Sequence, residues 1–199
     1  MRALLAFLTI ATAGGSSVVQ AQLDYNARLG LTWATPLLRD NIADEVEVRQ
    51  KLAPTLVVGA SLPIAPLYQA GLELALATSS SRAEDAGVSA DLGTLRTGSV
   101  MLGLQGPVAT GLGWRAGVGL LAYWPADERG IFLRGGTTKF LAGAGMDYRR
   151  PILPQWEIML SLRYDFHRFT TDELEARGFS QSQGVQRIAA SIGLARGRR

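Results

Sequence analysis

Residues 155–170, QWEIMLSLRYDFHRFT, place a bulky apolar side chain at every second position: Trp156, Ile158, Leu160, Leu162, Tyr164 and Phe166. Between them stand Glu157, Met159, Ser161, Arg163, Asp165 and His167. Successive side chains of a strand point to opposite faces, so a strand here has one oily face and one charged face. A helix would scatter both sets around its circumference. The oily face begins and ends in aromatic rings with aliphatics between them. That is the layout of a strand crossing a bilayer, with rings at the two water interfaces.

The same alternation recurs along the chain. Residues 25–34 put Tyr25, Ala27, Leu29, Leu31 and Trp33 on one face, opposed by Asn26, Arg28, Gly30 and Thr32. Residues 55–62 carry Leu56, Val58, Ala60 and Leu62 on the oily face. Their phase runs back through Leu52 and Val48 to Val46, so this strand is expected from as early as Glu45. Pro54 then falls inside it and cannot donate to a ladder, which implies a bulge or break; a short helix in the loop is the alternative. Residues 68–78, 95–105, 114–124, 138–148 and 185–195 alternate likewise. The expected connections are long at 35–53, 79–94, 125–136 and 170–183, and short at 63–67, 106–113 and 150–154.

This gives eight alternating segments, each near the roughly 9–11 residues of a tilted membrane strand. Short turns alternate with long loops, the asymmetry of an outer-membrane barrel. Each rising strand opens on an aromatic: Tyr25, Tyr68, Trp114 and Trp156. A repeat of this length also fits a propeller blade, but a blade needs four strands and each repeat here has two.

Composition sharpens the picture in a few places. The chain has 199 residues, no Cys and a formal charge of +3, so disulfides and thiolate metal sites are excluded. No Lys/Arg cluster with interleaved aromatics is present, and nucleic acid is not an expected partner. The opening MRALLAFLTIATAGGSSVVQAQ has a positive start, a short apolar run and small residues before Ala21. It reads as a secretory signal, residues 1–21, cut after Ala21, followed by a barrel domain over 22–199. Its apolar run is too short for a comfortable membrane anchor.

A soluble barrel with its oily face inward is the rival fold. Glycines crowd the polar face at Gly30, Gly71, Gly103, Gly117, Gly119, Gly143, Gly145 and Gly193. A solvent-facing surface gains nothing from them, whereas the narrow interior of an eight-stranded barrel needs small residues beside large ones. The expected fold is therefore all-β, an eight-stranded antiparallel up-and-down transmembrane β-barrel.

Signal, strand count, loop asymmetry and aromatic rings together resemble the small eight-stranded outer-membrane barrels of the OmpA/OmpX/OmpW kind. The resemblance covers the whole mature chain and rests on pattern rather than on a diagnostic motif. It implies a bacterial outer-membrane location, a monomer, and contact with outer-membrane lipids, lipopolysaccharide and the barrel-assembly machinery. Such barrels usually end their last strand in an aromatic that this machinery reads. This chain ends Leu194-Ala-Arg-Gly-Arg-Arg199 instead, so the signal lies further inside the last strand or is a different one.

The phase places Arg28, Glu73, Arg115, Lys139, Asp147, Arg149, Glu157, Arg163, Asp165, His167 and Arg187 in the lumen. It places Tyr25, Trp33, Tyr68, Trp114, Trp124, Phe140, Tyr148, Trp156, Tyr164 and Phe166 in the outward girdles. Unpaired buried charges are costly, so the lumenal ones must pair or be hydrated. A symmetric turn at 150–154 sets Lys139 opposite Asp165 and Asp147 opposite Glu157, with Arg149 and Arg115 close enough to neutralise the second pair. The 106–112 connection sets Arg115 across from Gly103.

Two readings of the lumen follow: a salt-bridge plug, favoured because eight strands leave little space, or a narrow polar path for small solutes. A third is a lipid-modifying enzyme centred on His167, the one His in the chain. Barrel-type lipid A deacylases resemble H-x-S at that level, whereas this chain reads His167-Arg-Phe169, so the nucleophile is missing. His167 is then expected to pair with Asp165 or water. A lone His among arginines is also poor metal-ligand chemistry, and no metal, cofactor or catalytic residue is assigned. The charged outer loops are read as soluble loops.

Overall fold

The computed structural model describes residues 23–40, 46–85, 88–176 and 182–196. Ten strands follow in chain order: β1 Asp24–Ala34, β2 Leu38–Asp40, β3 Val46–Gln50, β4 Ala53–Ala65, β5 Tyr68–Asp85, β6 Val88–Ala109, β7 Leu112–Pro125, β8 Thr137–Leu153, β9 Trp156–Phe169 and β10 Gln183–Arg196. A 3-10 turn spans Gly130–Phe132, and a short helix α1 spans Asp172–Ala176. The expected signal at 1–21 and the expected strand start at Glu45 lie outside the described residues.

Eight strands close a ring in the order β1, β4, β5, β6, β7, β8, β9, β10, all antiparallel, with β10 returning to β1. Closure leaves no open edge, which is what allows a sheet to sit in lipid. Among the described residues no helix is long and apolar enough to cross a membrane. The faces follow the period-2 reading: Leu29, Leu102, Leu162 and Ile192 are more than half exposed outside, while Arg28, Met101, Ser161 and Asp165 are buried inside.

The three short turns share a construction that the sequence reading missed. Pro63, Pro107 and Pro151 lie 44 residues apart. Each stays in the ladder near the end of its strand. The ladder then slips by one residue, at Ile64, Val108 and Ile152. The chain reverses two residues later, at 66–67, 110–111 and 154–155. A bulge of one residue on one strand moves every later pairing. The expected registers are corrected accordingly. Arg115 faces Gln105, not Gly103. Asp147 faces Ser161, not Glu157, and Asp165 faces Gly143, not Lys139.

Two other expectations change at the opposite, loop end. Residues 79–85 and 88–94, expected as loop, are strand: β5 and β6 run on as a ladder that carries Ser79 and Ser81 inward and buried. Small residues and continued alternation keep the backbone extended, and β3 pairs the far part of β5. A bulge at Leu92 bends this hairpin, with Gly93 taking φ +88°, a conformation that glycine reaches without strain. The break near Pro54 lies at 51–52. It reverses the phase, so Val48 and Gln50 are buried while Leu52 is exposed. Val48 therefore does not share the outer face of Leu56.

Register also aligns glycines that are far apart in sequence. Gly71, Gly103, Gly117 and Gly143 face one another across β5, β6, β7 and β8. The row ends against Asp165 on β9. A Cβ on Gly117 would come within 2.5 Å of the Leu102 carbonyl oxygen, so the inner wall is flat here by necessity. That flat stretch makes room for the charged side chains described next.

Candidate functional site: the lumen and its loop-end core

Glu73 on β5 is the hub of the lumen. Its carboxylate accepts hydrogen bonds from three guanidinium groups, those of Arg28 on β1, Arg115 on β7 and Arg163 on β9. Arg115 also forks onto Asp147, with Nε donating to Oδ2 at 2.8 Å and Nη2 to Oδ1. Arg163 grips Asp165 through Nε at 2.9 Å and Nη2 at 2.8 Å. Arg28 donates from Nε to Asn26 Oδ1 at 3.1 Å. Six charged side chains from five strands thus form one connected cluster. Forked arginine–carboxylate pairs are the strong, directional kind.

A second network, built mainly from amide and hydroxyl groups, sits on the turn side of this cluster. Gln105 donates to Ser61 Oγ at 2.8 Å and to Gln69, and Gln69 donates to Asp24 at 3.3 Å. Beyond it lies a mouth of about 450 Å³ lined by Trp114, Asp147, Arg149 and Glu157 among others. Two smaller cavities flank the cluster itself, about 50 Å³ and about 20 Å³.

Not every expected lumenal charge joins the cluster. Arg149 and Glu157 stand at the mouth, and Lys139 faces Leu121 near the loop end. Among the described residues none of these three is ion-paired within the cluster. Arg187 is buried and faces Asp165 across the ladder, yet its Nη2 donates to Thr97 Oγ1 at 3.4 Å.

His167 does not pair with Asp165. Its Nε2 shares a 2.7 Å hydrogen bond with the Tyr123 hydroxyl, and the ring is 1% exposed. Tyr123 in turn packs edge-on against Phe169 at 5.2 Å and stacks with Phe132 at 6.4 Å. These residues belong to an apolar core at the loop end of the lumen, with Leu37, Val48, Leu95, Leu121, Ile131, Leu141, Leu174 and Val185.

The loop that supplies Ile131 and Phe132 is tied to the start of α1. Thr171 Oγ1 donates to the Ile131 carbonyl at 2.7 Å and accepts from the Leu174 N–H at 3.2 Å, so one hydroxyl caps the helix and joins both loops. Arg134 and Glu173 add an ion pair at 3.2 Å. The sequence reading took these connections as plain soluble loops. Their apolar residues come in short runs, Leu37-Leu38 and Ile131-Phe132-Leu133, without the alternation that marks a strand face.

On the outside, Tyr25, Trp33, Tyr68, Trp124, Phe140, Tyr148, Trp156, Tyr164 and Phe166 all present exposed rings. Trp114 is half-buried and meets Tyr68 edge-on at 6.4 Å. Tyr164 stands within the strand beside Ala144 and Ile188 rather than near a strand end. Between the end rings lies an unbroken belt of Leu, Val and Ile side chains open to the surroundings. A belt of that kind is not stable in water and marks a membrane surface.

No family model matches the chain, and no curated protein matches it in sequence. Solved structures do match in fold. The crystal structure of Neisserial surface protein A aligns with a TM-score of 0.58 at 10% identity, over 87% of this chain and 96% of that one. AlkL, an outer-membrane protein solved in lipid bilayers, aligns with a TM-score of 0.54 at 14% identity, over 92% and 93%. Ring closure, an outward apolar belt bounded by aromatics, a charged interior and these two likenesses converge: the protein is a transmembrane β-barrel with the fold of the small eight-stranded outer-membrane barrels.

Proposed function

We propose that the protein is a closed barrel that acts at its surface and as part of the membrane, not as a conduit. The observation that carries this reading is the double filling of the lumen. The Glu73 cluster ties β1, β5, β7, β8 and β9 together across the interior. The apolar core of Tyr123, Phe132, Phe169 and Leu174 fills the loop end above it. A solute would have to break several buried ion pairs and then part a packed core, and breaking one buried pair alone costs about 3–5 kcal/mol.

The outer surface supports lipopolysaccharide as the immediate neighbour. Arg96 and Arg168 are exposed on lipid-side positions, Arg96 directly beside Trp124 and Arg168 two residues beyond Phe166. Cations just past an aromatic ring suit the phosphates of an anionic outer leaflet. The enzyme reading is disfavoured because His167 is buried and engaged by Tyr123, so a lipid substrate cannot reach it in this conformation.

Conductance in planar bilayers tests the proposal. A closed barrel gives no discrete openings at any applied voltage, and resolved, reproducible openings would favour the narrow-channel reading. Lipid A mass spectra with and without the protein test the enzyme reading, with unchanged spectra expected.

A further inference from the structure

The Glu73 cluster balances three arginines against three carboxylates, and Arg187 beside it adds a fourth cation. Four arginines, Arg28, Arg115, Arg163 and Arg187, stand with three carboxylates, Glu73, Asp147 and Asp165. The surplus is localised. Arg187 is 6% exposed, and its Nε and Nη1 have no hydrogen-bond partner among the described residues. The Asp165 carboxylate across the ladder acts on it through charge, but no hydrogen bond joins the two, and Asp165 Oδ1 is itself without a hydrogen-bond partner among the described residues. Asp165 Oδ2 is taken by Arg163, and Oδ1 is turned over Gly143 on β8, the strand on the far side from β10.

Arg187 instead borders the cavity of about 20 Å³, together with Arg28, Arg163, Thr97, Ser99 and Glu73. Glu73, the one carboxylate on its wall, is already shared by three arginines. One water occupies about 10–15 Å³ of such a cavity, so the space suits a small guest such as a single monatomic ion. Its wall is cationic and rich in hydroxyl donors. A buried guanidinium with two unpartnered nitrogens is costly, and a neutral water would leave the fourth positive charge in place.

We propose that this cavity binds one monatomic anion of the halide class, held by Arg187 Nε and Nη1 with the Thr97 and Ser99 hydroxyls beside it. The anion offsets the fourth arginine and completes the plug. The site is separate from the surface role proposed above and stands or falls independently of it.

The test uses the refolded full barrel. Crystals grown with bromide are expected to show an anomalous peak against Arg187. In solution, the denaturant midpoint is expected to rise as chloride replaces gluconate at constant ionic strength. Arg187→Gln should abolish that dependence. Ser99→Ala, a smaller change that keeps the fold if Arg187→Gln does not, should shift it to about tenfold higher chloride, a change of about 1.4 kcal/mol. Equal midpoints in chloride and gluconate, with no bromide peak in the cavity, would overturn the proposal and leave water as the occupant.

Discussion

Asp165 Oδ1 lies over the bare Cα of Gly143, in the space that a Cβ would occupy. The two residues face each other across β8 and β9, and Asp165 carries the ion pair with Arg163. One missing side chain on β8 therefore sets the position of a carboxylate in the plug. Gly143→Val should push Asp165 off Arg163 and destabilise the barrel by about 1–3 kcal/mol, the usual cost of overpacking. Ala144→Val, the next residue but on the exposed face, should leave the urea midpoint nearly unchanged. Similar losses for both variants would contradict this role of Gly143.

Glu73 gathers three guanidinium groups, so its charge matters more than its volume. Glu73→Gln keeps the shape but removes the negative charge and turns one acceptor oxygen into an NH2 donor facing the Arg28, Arg115 and Arg163 guanidinium groups. The expected loss is about 3–5 kcal/mol, the range for breaking a buried pair. Equilibrium unfolding in urea reads it directly. A loss below about 1 kcal/mol, the level of an exposed ion pair, would mean that the cluster is well hydrated.

The loop-end core should open separately from the barrel. Phe169→Ala removes the ring that contacts both Tyr123 and Phe132. Limited proteolysis of the variant should gain cuts within 126–136 and 172–176, while the heat-modifiable gel shift of the folded barrel persists. Loss of that shift would show the core and barrel to be one cooperative unit.

Much of this was legible in the sequence because a barrel strand is a period-2 object. Outward Leu29, Leu102 and Leu162 and inward Arg28, Glu73 and Asp165 needed only alternation. Pairing was not legible, because it depends on where each turn reverses. Pro107 and Pro151 look like turn residues, yet they stay in the ladder before a bulge at Val108 and Ile152. That displacement puts Gln105 across from Arg115 and Gly143 across from Asp165. The role of Glu73 was hidden for the same reason: it meets Arg28, Arg115 and Arg163 only after the ring closes. Leu37, Ile131, Phe132 and Leu174 gave no usable signal, since they lie in short apolar runs or alone within the connections and no period shows which way they face.

The aromatic girdles give a depth assignment that spectroscopy can check. In single-tryptophan variants, Trp156 beside the last turn should be quenched more by lipids brominated near the headgroup than by lipids brominated deep in the acyl chain. Trp33 and Trp124 should behave alike at the other interface. Strongest quenching by the deep label at any of these three would contradict the proposed seating.

The central claim is that the lumen is closed twice, and a paired conductance measurement tests it most directly. The wild-type barrel is compared in planar bilayers with a variant that carries Arg115→Ser and Arg163→Ser and lacks residues 129–134 of the loop-end core. The account predicts a silent wild type and discrete openings from the variant. Openings of the same size from the wild type would contradict it.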